Sequence, residues 1–203
     1  MVSFSKRSIT LAELLVAIVL VGLLVIAVFN LDNYARFHLI TSDRRARLQN
    51  EASYCIEQIV KEAIRGIGYV NDQAVVCTAD DLRIRYDDNN DSPNGQIDST
   101  TLPGGDTLVR FYRDVGTAPY ELRYYPDFAR NPGDFEVLTN KIVNHLLTPA
   151  VDIFTWEDID GDGNNDIVRI ELVLRHHVAS SESIDNPQLR MISRVYCRSE
   201  SLR

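Results

Sequence analysis

The sequence predicts an α+β protein: a long N-terminal helix, membrane-spanning in its first half and amphipathic in its second half, packed on an antiparallel β-sheet domain. Three features of the chain predict this. Residues 9–29 are almost entirely apolar, helical periodicity continues to about residue 66, and the rest alternates apolar and polar residues as strands do. With 45% hydrophobic and 25% charged residues in 203, the composition is that of an ordinary globular chain and argues against wholesale disorder.

The apolar segment 9–29 reads ITLAELLVAIVLVGLLVIAVF, and Glu13 is its only charged residue. As a helix it extends about 31 Å, which is enough to cross the hydrocarbon core of a bilayer. The leader MVSFSKRS precedes it and carries Lys6 and Arg7 but no acid. A secretory signal starts similarly, but this run is longer than usual and no small-x-small cleavage site follows it. The sequence therefore favours a membrane-spanning helix.

Helical periodicity continues beyond the span. The apolar positions recur at steps of three and four residues: Leu48, Ala52, Cys55, Ile56, Ile59, Val60, Ala63, Ile64 and Ile67. The other face is polar and includes Glu51 and Glu62. Gly66 and Gly68 end the pattern, so we predict one helix over about 9–66 whose second half supports a core. The charged cluster Asp43–Arg47 is predicted to be a solvated face.

Strand periodicity follows Gly68. Apolar and polar residues alternate at 82–86, 120–124, 168–174 and 189–197. Shorter apolar runs at 74–77, 107–112 and 150–156 are further strand candidates, and 136–147 is predicted to be a strand or a short helix. Because no long helix separates these strands, the sheet is predicted to be antiparallel. The stretches 93–105 and 126–134 contain Pro and Gly and are predicted to be surface loops.

Charge and motif content exclude several function classes. The chain has 21 Lys+Arg against 29 Asp+Glu, a net charge of -8, which argues against general nucleic-acid binding. No G-x-S-x-G, H-E-x-x-H or P-loop pattern is present in the sequence. His176 and His177 are adjacent, so on a strand they would face opposite sides and could not bind one metal together. His38 and His145 lie in other predicted elements. We therefore predict that the protein is not an enzyme.

The residues around Glu13 resemble a known signal. The run Lys6-Arg7-Ser8-Ile9-Thr10-Leu11-Ala12-Glu13-Leu14-Leu15-Val16 is similar to the class III signal of type IV pilins and type II secretion pseudopilins. The resemblance implies that a prepilin peptidase cuts between Ser8 and Ile9 and methylates Ile9. It also implies that Glu13, the fifth mature residue, pairs with the N-terminal amine of a neighbouring subunit. Ser8, Ile9 and Asn30 stand where the family usually has Gly, Phe and Pro.

The same resemblance implies a domain organisation: a leader peptide at 1–8, a transmembrane and filament-core helix at 9–31, and a periplasmic α+β pilin-like domain at 32–203. The expected partners are the prepilin peptidase, other pilins or pseudopilins through the N-terminal helix, and the inner membrane before assembly. The β-rich domain looks like that of larger minor pilins of the W type or of the J-type minor pseudopilin.

The charges on the two flanks of the span bear on its orientation. Lys6 and Arg7 favour a cytoplasmic N-terminus and a periplasmic C-terminal domain. A simple count of basic residues on the two flanks favours the opposite orientation, because the C-terminal flank carries Arg36, Arg44, Arg45 and Arg47. The basic leader adjoins the span directly, whereas most of those arginines lie more than ten residues beyond it.

A calcium site is predicted at Asp158-Ile159-Asp160-Gly161-Asp162-Gly163-Asn164-Asn165-Asp166, which has the pattern D-x-D-x-D-G-x-x-D and continues into a strand. The carboxylates of Asp158, Asp160, Asp162 and Asp166 and the carbonyl of Asn164 are the hard ligands that calcium prefers. Arg169 stands where an EF-hand has its glutamate. The alternative is an acidic hairpin turn without metal. A second acidic loop, 87–98, is predicted to be solvated.

The leading prediction is a minor pilin or pseudopilin that is assembled into a type IV pilus or a type II secretion pseudopilus, and a role in initiation or at the tip stays open. The alternatives are a membrane-anchored calcium-dependent adhesin and an anchored enzyme. Cleavage at Ser8 separates the first from the others. Cys55, Cys77 and Cys197 would meet an oxidising compartment, where either one pair bonds or all three remain buried thiols.

Overall fold

The computed structural model describes residues 10–66, 75–86, 106–114, 116, 120–159 and 167–196. Ser8, Ile9, Gly68, Cys197 and the loop 87–98 lie outside these residues. The chain divides into two units, residues 1–43 and 44–203. Helix α1, Leu11–Arg65, supplies the described structure of the first unit and the first element of the second.

The first unit is the apolar half of α1. This helix is long and apolar enough to cross a membrane, and it is the only such helix within the described ranges. Its side chains are exposed from Leu11 to Ile40, apart from a half-buried Asn33. The predicted long helix is confirmed, and its first half is long and apolar enough to span a membrane.

The second unit contains two antiparallel sheets. The first has the strand order β1-β2-β3-β4-β5 and the second β6-β7-β8. The strands are β1 Val75–Thr78, β2 Asp81–Tyr86, β3 Thr107–Asp114, β4 Glu121–Tyr125, β5 Glu136–Thr139, β6 Phe154–Glu157, β7 Ile167–Arg175 and β8 Gln188–Tyr196. Each predicted strand is present, and 136–147 contains both β5 and a short 3-10 helix, Asn144–Leu146. The fold is therefore α+β, as predicted.

The core of this unit lies between the second half of α1 and the sheets. Leu48, Ala52, Cys55 and Ile59 are fully buried on the helix. They pack in one cluster with apolar residues of both sheets, including Leu82, Ile84, Val109, Phe111, Leu122, Phe154, Val168, Ile170, Leu172 and Val195. The amphipathic pattern thus predicted the buried face of the helix correctly.

Two helix positions differ from the prediction. Ile64 is 54% exposed, and Glu62, predicted on the polar face, is only 3% exposed. Glu62 is buried because Tyr124 of β4 lies over it and donates a hydrogen bond to Oε1 at 3.3 Å, while Arg65 pairs with Oε2 at 3.3 Å. The sheet therefore covers more of the helix than its apolar stripe.

The helix ends at Arg65, and Gly66 follows against the first sheet. A Cβ built on Gly66 would lie 3.2 Å from Ile84 Cγ2 and 3.2 Å from the Ala63 carbonyl oxygen. A Cβ at this position would fit only if its neighbours moved by a few tenths of an ångström, so glycine suits this close approach.

The edge of β7 is continued beyond β6 by the segment Lys141–Asn144. Ile142 forms a bridge with Leu174, and the Asn144 side chain takes the place of a strand partner. Its Nδ2 donates to the Glu171 carbonyl at 2.7 Å, and its Oδ1 accepts from the Val173 N–H at 2.8 Å. This connection fixes the chain between β5 and β6 against the end of β7.

Candidate functional sites: the exposed helix segment and a histidine cleft

The apolar half of α1 is the largest unburied apolar surface of the described chain. Large apolar side chains between Leu11 and Ile40 range from 48% exposed at Ile40 to 83% at Leu11. Burying one such side chain fully is worth about 1.5–3 kcal/mol. A surface of this extent marks a segment that is covered by lipid or by protein when the molecule functions.

Glu13 lies in the first turn of this segment and caps the helix. The Thr10 N–H donates to Glu13 Oε2 at 2.8 Å, and the Glu13 N–H donates to Thr10 Oγ1 at 3.3 Å. The Thr10 hydroxyl also donates to Oε2, at 3.0 Å. These reciprocal bonds form a capping box, which satisfies two N–H groups that a helix start would otherwise leave without partners.

The cap leaves half of the Glu13 carboxylate available. Both Thr10 bonds are made to Oε2, and among the described residues none is made to Oε1. A carboxylate in an apolar surrounding is costly unless hydrogen bonds and a cation satisfy it. Glu13 is therefore partly satisfied within its own chain and retains one oxygen for an external donor. Ser8 and Ile9 lie outside the described residues, so the structure does not bear on the predicted cleavage site.

The polar positions of the first unit begin where the predicted span 9–31 ends. Arg36 Nε donates to Asp32 Oδ2 at 2.9 Å, one helical turn apart. Tyr34 and His38 pack edge to face with ring centroids 4.2 Å apart. Aromatic and paired charged side chains of this kind are typical of the boundary between a membrane and water.

The acidic motif at 158–166 connects β6 to β7. Asp158 directly follows β6, and β7 begins at Ile167, opposite Glu157. The predicted passage from the loop into a strand is thus confirmed. Asp160, Asp162, Asn164 and Asp166 lie outside the described residues, and among the residues that are described no three His, Cys, Asp or Glu side chains are grouped to hold a metal.

The adjacent histidines do not take the predicted positions on opposite faces of a strand. Strand β7 ends at Arg175, one residue before them, so the alternation of a strand does not apply. The rings of His176 and His177 lie with centroids 4.4 Å apart, and both line one cavity of about 620 Å³. We call this cavity the histidine cleft. Its further lining includes Tyr120, Asn140, Lys141, Leu146 and Val178.

His145 precedes Leu146 of the cleft in sequence but is not among the residues that line the cleft. Its ring packs edge to face on Tyr120 with centroids 3.8 Å apart. Burial lowers the pKa of His145, and the nearby guanidinium of Arg113 lowers it further, against the opposing effect of Asp80. The cleft thus brings together residues from three parts of the chain: Tyr120, the segment after β5 and the loop after β7. Single-sequence periodicity gives no signal for this convergence.

The loop that carries the adjacent histidines is held by Asn186. The Asn186 Nδ2 donates to the carbonyls of His177, Ser180 and Ser181 at 3.0–3.1 Å. Its Oδ1 accepts from the His177 N–H at 2.6 Å. One buried amide therefore satisfies several backbone groups and fixes the cleft wall.

Two of the three cysteines, Cys55 and Cys77, lie in the described residues, and Cys55 is a free thiol. Cys55 is fully buried in the core, and this burial raises the pKa of its thiol to about 12, with a further contribution from Glu51. Cys77 lies on β1 and is half-buried. The thiol of Cys55 is therefore a packing group of the helix face.

Comparison with protein-family models, with curated proteins and with solved structures gave no match.

Proposed function

We propose that this protein is a minor pilin or pseudopilin, a structural subunit that is processed by a prepilin peptidase and assembled into a type IV pilus or a type II secretion pseudopilus. The observation that carries the proposal is the exposed apolar half of α1, which begins with one capped carboxylate and continues directly into an α+β domain. Such a segment has two environments in which its surface is covered: a bilayer, and a bundle of like helices.

The energetics of the segment support a bilayer environment before assembly and a bundle of like helices after it. Before assembly, the apolar side chains lie in lipid, where the helix satisfies its own backbone groups. Apolar surfaces alone do little to fix the axial register of one helix against another in lipid, so a polar pair is needed to fix this register. Glu13 is the only charge of residues 9–29 and retains Oε1 for such a pair.

The resemblance of residues 6–16 to the class III signal names the partner of Glu13. Cleavage after Ser8 creates a new amine at Ile9, and this amine on a neighbouring subunit is the cation that Glu13 would meet. In this proposal the leader stays on the cytoplasmic side, the domain from about residue 32 lies in the periplasm, and the span lies in the inner membrane until assembly.

We propose further that the loop 158–166 binds calcium. Its acidic residues lie in the connection of a hairpin whose two strands are in register at Glu157 and Ile167. Four carboxylates confined to one short loop repel each other, and a divalent cation removes that cost. Bound calcium would then tie this end of the second sheet together.

The experiment that tests the proposed function separates the charge of Glu13 from its role as a cap. Glu13→Gln removes the charge but keeps an oxygen that accepts the Thr10 bonds, whereas Thr10→Val removes the side chain of the cap and keeps the charge. Each variant is expressed with the pilus or pseudopilus machinery, and its amounts in the membrane and in sheared filaments are measured. We expect normal membrane insertion of both and loss of filament incorporation for Glu13→Gln alone.

Equal incorporation of Glu13→Gln and the wild type would contradict the assigned role of Glu13. Absence of the wild-type chain from filaments, together with stable residence in the membrane, would favour the alternative of a membrane-anchored binding module. That alternative keeps the helix as a plain anchor and needs no processing at Ser8.

A further inference from the structure

The histidine cleft is lined by basic side chains, Lys141, His176 and His177, although the chain as a whole carries a net charge of -8. At His176, burial lowers the pKa, and every nearby charge that perturbs it is a cation: His177, Arg44, Lys141 and Arg47. These groups come from α1, from the segment after β5 and from the loop after β7. No carboxylate lines the cleft among the described residues. The cleft therefore attracts anions and disfavours metal cations.

The cations around the cleft are fixed in position from outside it. Lys141 Nζ pairs with Glu51 Oε2 at 2.5 Å, and the Arg44 guanidinium donates to the carbonyl of Asp185. Glu51 also accepts a hydrogen bond from the hydroxyl of Thr139, at 2.5 Å. A cationic side chain that is already held in position by groups outside the cleft loses little conformational entropy when a ligand binds.

One ring nitrogen of the cleft lining, Nδ1 of His176, is buried without a hydrogen-bond partner among the described residues. A neutral imidazole has one N–H donor and one acceptor, and buried polar groups of this kind are normally satisfied. Nδ1 of His176 can therefore form a hydrogen bond with a polar group that enters the cleft.

The remaining wall of the cleft is apolar. Leu146, Val178 and Ala179 line it together with the ring of Tyr120. The loop that contributes Val178 and Ala179 is held in shape by Asn186, as described above. Preformed cavities of about 300–1,000 Å³ with mostly apolar walls and a few convergent polar groups are typical of sites for small organic molecules.

We propose that the histidine cleft binds a small organic carboxylate, whose charged end lies among Lys141, His176 and His177 and whose apolar body lies against Leu146, Val178 and Tyr120. The inference is independent of filament assembly and holds for a pilin and for an anchored binding module alike. Because the anion stabilises protonated imidazole, its binding strengthens as the pH falls.

The test uses the full chain in detergent micelles with isotope-labelled histidine rings. Benzoate is the probe, and benzamide is the uncharged control of the same shape. We expect benzoate to shift the ring signals of His176 and His177 saturably, to leave His38 in place, and to raise the pKa of His176. A rise of about one pKa unit corresponds to at most about tenfold tighter binding in acid than at pH 8.

Two variants locate the site. Lys141→Met removes the cation but keeps the length of the side chain, and Lys61→Met is its matched control on an exposed position of α1. His177→Gln changes an exposed side chain and serves as a second variant if Lys141→Met proves unstable. We expect Lys141→Met and His177→Gln each to weaken benzoate binding by about tenfold, the loss of one charged hydrogen bond.

Three results would overturn the proposal. They are equal binding of benzoate and benzamide, equal weakening by Lys61→Met and Lys141→Met, and histidine shifts that saturate with inorganic phosphate but not with benzoate. The last result would assign the cleft to phosphate in place of a carboxylate with an apolar body.

Discussion

Replacing Asn144 by leucine tests how the two sheets are joined. Asn144 is fully buried, and its side chain satisfies the N–H of Val173 and the carbonyl of Glu171 at 2.8 and 2.7 Å. Leucine has nearly the same shape but leaves both backbone groups buried without partners. Each such group costs about 1–3 kcal/mol, so we expect the free energy of unfolding to fall by about 2–6 kcal/mol.

This loss is a large part of the stability of a typical domain, about 5–15 kcal/mol. At about 2–4 °C per kcal/mol for a domain of this size, Asn144→Leu should lower the melting temperature by at least about 4 °C. The assay is thermal unfolding of the full chain followed by the fluorescence of Trp156, the single tryptophan, which lies on β6 and packs against the core. Asn50→Leu on the exposed face of α1 is the matched control and should change stability by less than about 0.5 kcal/mol.

A second variant distinguishes the hydrogen bonds from the shape of the side chain. Asn144→Asp keeps an oxygen for the Val173 N–H but loses the donor to Glu171 near neutral pH. In acid, the protonated carboxyl donates again, so this variant should approach the wild type as the pH falls. Melting of Asn144→Leu within about 1 °C of the wild type would refute the reasoning, because it would show that these two backbone groups need no partner from this side chain.

Two further predictions concern protons and calcium. Burial lowers the pKa values of His145 and His176 in the folded protein, so the unfolded chain binds more protons as the pH falls. The contribution of these neutral histidines to stability is therefore complete above their ordinary pKa and is lost as the pH falls below that value. The melting temperature should therefore decrease between pH 7.5 and pH 5.5 in buffers without carboxylates, and His145→Gln should flatten this decrease; an identical slope in the variant would contradict it. Millimolar calcium should raise the melting temperature by several degrees over a chelator, since binding at 100 times Kd contributes about 2.7 kcal/mol. The double variant Asp160→Ala, Asp162→Ala should abolish this shift, and an unchanged wild-type melting temperature would leave the loop an acidic turn.

The helix and the strands were predictable because each has a local period that burial imposes. The step of three and four residues through Leu48, Ala52, Cys55 and Ile59 placed the buried face of α1 correctly. The same pattern failed at Glu62, because the extent of the sheet above a helix depends on Tyr124, which is distant in sequence. Periodicity predicts which face is buried but not how far its partner reaches around the helix.

The histidine cleft was not predictable for a related reason. Its residues come from the position before β4, from the chain after β5 and from the loop after β7, and the pairing of Lys141–Asn144 with β7 brings the last two together. The error at His176 and His177 arose from extending strand alternation one residue beyond Arg175, where the strand ends. The run SSESIDNP that follows them is rich in turn residues and was an available signal of that end.

The capping box at Thr10 and Glu13 was readable from the sequence. A threonine three residues before a glutamate, at the start of an apolar run, is its usual pattern. Interpreting Glu13 through its charge alone leads to the proposed partner on another subunit but misses Thr10, the partner within its own chain. The two roles are compatible because Thr10 engages only Oε2 among the described contacts.

The most direct test of the proposed pilin or pseudopilin identity is the N-terminus of the mature chain. Protein is extracted from membranes of cells with active prepilin peptidase and from matched cells without it, and its intact mass and N-terminal sequence are measured. The proposal predicts residues 9–203 with one added methyl group on Ile9 in the first sample and an intact leader in the second. A chain that keeps Met1 in the presence of the peptidase, or one that begins after residue 29, would contradict it.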